Sequence, residues 1–107
     1  MRVFNDTITI GTDLASNQTS DAYSVEHIAN FAVQFALTGS PSGTIKVQAS
    51  LDAESWSDVP SASTSVAASG VFFINVVDAG YNYMRVVYER TTGTGTITKA
   101  LINGKGF

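Results

Sequence analysis

Apolar and polar residues alternate along most of this chain with a period of two. Phe31, Val33, Phe35 and Leu37 are separated by smaller or polar residues, and Gly39-Ser40-Pro41-Ser42-Gly43 then interrupts. Ile45, Val47, Ala49 and Leu51 resume the alternation before Asp52 to Ser55 turns the chain ahead of Trp56. A period of two places each apolar set on one face of an extended strand. Two such runs joined by a Gly/Pro/Ser loop predict an antiparallel hairpin, with strands over 30–38 and 43–51. Upstream, Val3 to Ile10 predicts a first strand carrying Phe4, Ile8 and Ile10 on one face. The polar stretch from Gly11 to Asp21 predicts a surface loop, and Tyr23-Ser24-Val25 a short edge strand. Downstream, Trp56 to Val59 reads as a brief strand stopped by Pro60, and Ser61 to Gly70 as a loose loop or weak edge strand. Val71 to Val77 is apolar on both faces apart from Asn75, which predicts a central strand buried on both sides or one meeting a neighbour. Tyr81 to Arg90 alternates again, Thr91-Thr92-Gly93-Thr94-Gly95 predicts a hairpin loop, and Thr96 to Asn103 closes the series. No segment sustains a helical i, i+3, i+4, i+7 pattern over three turns. The expectation is an all-β chain: a single antiparallel β-sandwich of about eight strands, jelly-roll-like or immunoglobulin-like.

Composition agrees with one such unit. The chain has 107 residues, enough for one core and one domain overall. Within it, residues 1–22 read as an N-terminal strand and polar loop able to act as an anchoring arm, and 23–107 as the sandwich. Only 14% of residues are charged, against about 25% in ordinary proteins. Solubility therefore leans on twelve Ser and twelve Thr, residues that suit turns and strands respectively. The net charge is −3 and the six Lys and Arg residues are scattered, so a nucleic-acid partner is not expected. Sparse charge also weakens repulsion between copies. Cysteine is absent, which excludes disulfides and thiolate chemistry. The first residues lack the apolar core of a signal peptide, and no apolar run approaches the roughly 20 residues that span a bilayer. A complete small polypeptide made in the cytoplasm, without a membrane partner, is expected.

Residues that carry chemistry are few. His27 is the sole histidine, and no Gly-x-Ser-x-Gly turn accompanies it to build a nucleophile. Ser50-Leu51-Asp52-Ala53-Glu54-Ser55-Trp56 is similar to the Asp-box hairpin, one residue short and without its glycine. Asp52 is expected to accept backbone N–H bonds across a turn while Trp56 folds onto the sheet. Asp52, Glu54 and Asp58 lack both the EF-hand spacing and the cleft a glycosidase pair needs. Trp56, Tyr23, Tyr81, Tyr83 and Tyr88 would form a carbohydrate platform only with at least two rings coplanar and exposed. Gly93-Thr94-Gly95 is no phosphate loop, since no lysine and helix follow. No catalytic, metal or cofactor residue is expected. Asp52, Trp56, Phe31, Phe35, Phe73 and Tyr83 are expected to build turn and core, and Phe4, Ile8 and Phe107 an interface.

The order of segments adds a resemblance. Asn-Phe-Ala-Val-Gln-Phe from Asn30, the 39–44 loop, Val-Gln-Ala-Ser-Leu-Asp, the tryptophan, Tyr-Met-Arg-Val-Val-Tyr and Gly-Thr-Gly-Thr-Ile before a last strand together resemble small β-sandwich virion proteins of bacteriophages. These serve as head-decoration, head-fibre or neck and tail accessory proteins. The resemblance covers roughly residues 23–107 and implies no catalytic residues. It implies a non-enzymatic structural protein of the virion, decorating or cementing the capsid or joining virion parts. Its partners would be other virion proteins and further copies of itself, a trimer being favoured. The alternative is a carbohydrate-binding module for host-surface glycan.

Overall fold

The computed structural model describes residues 3–25, 28–76 and 81–106, leaving aside the side chains of Val3, Phe4, Ala29, Ser61 and Gly106. His27 and Phe107, and the side chain of Phe4, therefore lie outside the described residues. The described chain is all β, with seven strands and antiparallel pairing throughout: β1 (Val3–Thr7), β2 (Gln18–Thr19), β3 (Tyr23–Ser24), β4 (Ile28–Ser50), β5 (Ser57–Val66), β6 (Gly70–Val76) and β7 (Tyr83–Gly106).

Two of these strands organise the rest. β4 and β7 pair along nearly their whole length, from Ile28 opposite Gly106 to Ser50 opposite Tyr83. A straight strand of 23 residues would run roughly 75 Å, yet the longest dimension of the molecule is 39 Å. The pair must bend over, and each strand serves two layers. In the first layer the order is β1, the second half of β7, the first half of β4, then β6. In the second, β2 and β3 share one edge, followed by the first half of β7, the second half of β4, and β5. The result is a two-layer sandwich, each layer four strands wide.

The bend lies where the sequence predicts two hairpin loops. Neither is a turn: Gly39, Ser40 and Pro41 pair with Gly95, Thr94 and Gly93 and the strands continue. Gly39 (φ 89°) and Gly93 (φ 81°) take left-handed backbone conformations open chiefly to glycine. A Cβ on Gly39 would come within 2.7 Å of the Gly95 Cα, and one on Gly93 would collide with the Ser40 carbonyl oxygen. The Gly/Pro/Ser composition that reads as a loop here marks two paired backbones bending together at close range.

Parity keeps the core continuous through this bend. From Phe31 onward β4 buries Phe31, Val33, Phe35 and Leu37 before it and Ile45, Val47 and Ala49 after it, all at odd positions. β7 buries Met84, Val86 and Tyr88, then Ile97, then Ala100 and Ile102. The register skips Thr91 and again Thr98, and each extra residue turns the following side chains to the opposite face. Tyr88 sits at the centre, wholly buried, with its ring against the space where Gly43 lacks a side chain. Burial pushes its phenol pKa up, Arg90 opposing, and its hydroxyl finds no partner among the described residues.

Three further expectations are corrected. The 3–22 segment is woven into the sandwich rather than projecting: β1 pairs with β7, Leu14 is fully buried and its N–H donates to the Gly95 carbonyl oxygen at 3.0 Å. Pro60 does not stop its strand, because β5 forms an outer strand where its missing N–H costs no ladder bond. The 71–77 run is not central: β6 pairs only with β4 among the described residues. Val71 is 55% and Phe73 61% exposed, so Phe73 faces outward instead of filling the core.

Candidate functional site

The side chains singled out in the sequence are not gathered at one place. Phe31 and Phe35 are core residues of β4, and Tyr83 is half-buried at the start of β7. Ile8 is buried in the same core as Phe31 and Phe35, so it cannot serve as a surface contact; its N–H donates to the Ala100 carbonyl oxygen at 2.8 Å. Of the proposed aromatic platform, Tyr88 is wholly buried and Trp56, Tyr23, Tyr81 and Tyr83 are half-buried. The Tyr23 hydroxyl accepts the Thr9 N–H at 2.6 Å, tying the N-terminal segment to β3. Tyr23 and Tyr88 are thus used for structure.

Asp52 closes the turn after β4. One of its carboxylate oxygens accepts the Glu54 and Ser55 N–H groups, each at 2.9 Å, and the Ser50 hydroxyl at 2.8 Å. The Ser50 hydroxyl oxygen in turn accepts the N–H groups of Asp52 and Ala53, and Ala53 takes a φ of 62°. These donors, the Ser55 N–H foremost, hold the Asp52 carboxyl down at about 2. The turn delivers Trp56 to the outer face of the second layer, where the Arg85 guanidinium lies 4.5 Å from its ring centre.

From Arg85 a polar ladder crosses that face. Arg85 Nε donates to Gln48 at 2.8 Å, Gln48 to Asp58 at 3.0 Å, and Lys46 pairs with Asp58 at 3.1 Å and Glu89 at 2.9 Å. Bonding to Glu89 and Asp58 raises the Lys46 pKa; bonding from Gln48 and Lys46 lowers that of Asp58. Sequence reasoning missed this ladder because its members come from three strands and only register brings them together.

The outer face of the first layer is different. Asn5, Asn103, Ala32 and Asn75 are neighbours in one row across β1, β7, β4 and β6, and Thr7, Leu101, Gln34 and Phe73 in the next. Small Ala32 between two asparagines leaves a dip. A cavity of about 620 Å³ opens there, lined by Asn5, Thr7, Ala32, Gln34, Phe73 and Asn103 among others. A second of about 360 Å³ adjoins it, sharing Ala32 and Asn103 and reaching Asn75 and Lys105. The Asn103 amide donates to the Asn5 side-chain oxygen. Among the described residues no three His, Asp or Glu side chains gather to hold a metal ion.

No family model and no curated protein matches this chain. Solved structures do. The SPBc2 prophage-derived protein YomS superposes with a TM-score of 0.64 at 16% identity, over 98% of this chain and 96% of its own. The enzymatically active domain of tailspike protein 4 of bacteriophage CBA120 gives 0.64 at 10% identity, over 97% of this chain and 19% of its own. A low-affinity xylan-binding module, CBM86, from Roseburia intestinalis gives 0.52 at 12% identity, over 99% and 95%. At these identities the likeness is one of fold, and the structures that share it include phage- and prophage-derived proteins.

Proposed function

We propose that the protein is a non-enzymatic structural component of a bacteriophage virion that works by associating with copies of itself. It would decorate the capsid or join virion parts, in a homo-oligomer. The observation that carries this reading is strand β6. It is seven residues long, Gly70-Val-Phe-Phe-Ile-Asn-Val76, without a charge or a proline, and it sits at the edge of its layer. An edge strand presents unpaired N–H and C=O groups, and proteins that stay monomeric blunt such edges with charges, prolines or brevity. The other edges carry those devices: β1 has Asp6, β5 has Asp58 and Pro60, and β2 and β3 are two residues each. Among the described edges β6 alone is unguarded, and Val71 offers an apolar cross-strand partner to an incoming strand. β6 against β6 of a second copy would give a two-fold dimer, whereas the favoured trimer would need a head-to-tail contact whose rotation closes after three copies. The shared fold with prophage-derived YomS supports a phage setting.

Light scattering on size-separated protein tests the proposal. The wild type is expected as an oligomer, and Val71→Lys, which adds the charge the edge lacks, as a folded monomer. A wild type that stays monomeric at high protein concentration and fails to bind phage particles would overturn it.

A further inference from the structure

The cavity on the outer face of the first layer has no part in strand pairing, since an added strand bonds to the edge of β6 and leaves the face open. We propose that this face binds an uncharged oligosaccharide, with Phe73 as the stacking ring and the carboxamides of Asn5, Gln34 and Asn103 as hydroxyl partners. Three observations converge on that ligand class. A sugar hydroxyl both donates and accepts, and the carboxamides here offer both functions without a charge, with two donors and an acceptor oxygen each. The Asn103-to-Asn5 hydrogen bond fixes two of these amides and leaves the Asn5 NH2 and the Asn103 oxygen for a ligand. Beside them stands Phe73, at 61% exposure the one strongly exposed aromatic ring among the described residues, in position to pack the C–H face of a pyranose.

Size and field fit as well. The cavity of about 620 Å³ lies within the roughly 300–1,000 Å³ range of ligand sites. Its neighbour across Ala32 extends the groove towards Asn75, so the groove suits a chain more than a single ring. The charged residues bordering the two cavities are one acid, Asp6, and one base, Lys105. Neither an anionic nor a cationic ligand meets a field of one sign there.

The experiment is a two-dimensional NMR titration of the Val71→Lys variant with xylohexaose, cellohexaose and maltohexaose in turn. Val71 borders neither cavity, so this variant separates sugar binding from self-association. At least one sugar is expected to shift the side-chain amide signals of Asn5, Gln34 and Asn103. Adding Phe73→Ala should weaken the apparent Kd about three- to tenfold, the worth of one ring contact. The fold should survive, because that side chain is exposed. Three outcomes would overturn the proposal: no shifts at millimolar sugar, shifts confined to the second layer, or an unchanged Kd with Phe73→Ala.

Discussion

The two outer faces of this sandwich are built from the same two strands and treated in opposite ways. Even-numbered residues of β4 point outward on both, yet in the second layer they are Lys46 and Gln48 and in the first Ala32, Gln34 and Ala36. On the second layer Trp56, Arg85, Gln48, Asp58, Lys46 and Glu89 satisfy one another in a continuous ladder. On the first, small and amide side chains leave a groove beside an exposed phenylalanine and an unguarded edge. A chain with 14% charged residues that commits several of them to one face leaves the other sparsely charged, with Asp6 and Lys105 at the borders of its groove. Neutral surface is where a copy or an uncharged ligand docks without desolvating an ion.

The difference exists only while β4 and β7 bend over as a pair, and the largest effect is expected at that bend. Gly93→Val puts a Cβ into the Ser40 carbonyl in a left-handed conformation that β-branched residues avoid. A loss of about 3 kcal/mol or more is expected in urea denaturation, with both faces lost together. The faces themselves should then respond separately. Arg85→Ala uncovers Trp56 and should cost about 0.5–1 kcal/mol, without changing oligomeric mass. Phe73→Ala should leave stability within about 0.5 kcal/mol, because that ring contributes little to the core.

Acidity should sharpen the contrast further, with smaller effects. The Asp52 carboxyl sits at about 2 in the folded chain, below its ordinary 3.8. Its contribution is therefore present above the ordinary value and lost as pH falls towards 2. Amide exchange at Glu54 and Ser55 should quicken relative to β6 over that interval. Lys46 titrates above its ordinary 10.5, so its part in the ladder is whole below that value and lost as pH rises through the higher one. Added salt should weaken the ladder and leave the first layer unchanged.

Much of this architecture was legible because period two survives folding. Phe31, Phe35, Ile45 and Val86 could be placed on inward faces from alternation alone, and Asp52 could be read as a turn residue from its place between strand and tryptophan. The bend was not legible. Glycines that let two backbones approach have the same composition as glycines in a hairpin, and only the paired positions of Gly39 with Gly95 and Pro41 with Gly93 tell them apart. Val71 and Phe73 misled for a related reason. A strand apolar on both faces reads the same whether its second face meets a layer of its own chain or is left open. The groove needed register as well, because Asn5, Ala32, Asn75 and Asn103 are far apart in sequence and adjacent only across four strands.

Amide hydrogen exchange along β6, followed over a dilution series, goes most directly to the claim that this edge takes a second copy. The alternate β6 amides that do not bond to β4 should be protected in concentrated protein and lose that protection on dilution as the mass falls. Fast exchange of those amides in samples that remain oligomeric would show that the copies meet elsewhere, and would contradict the account.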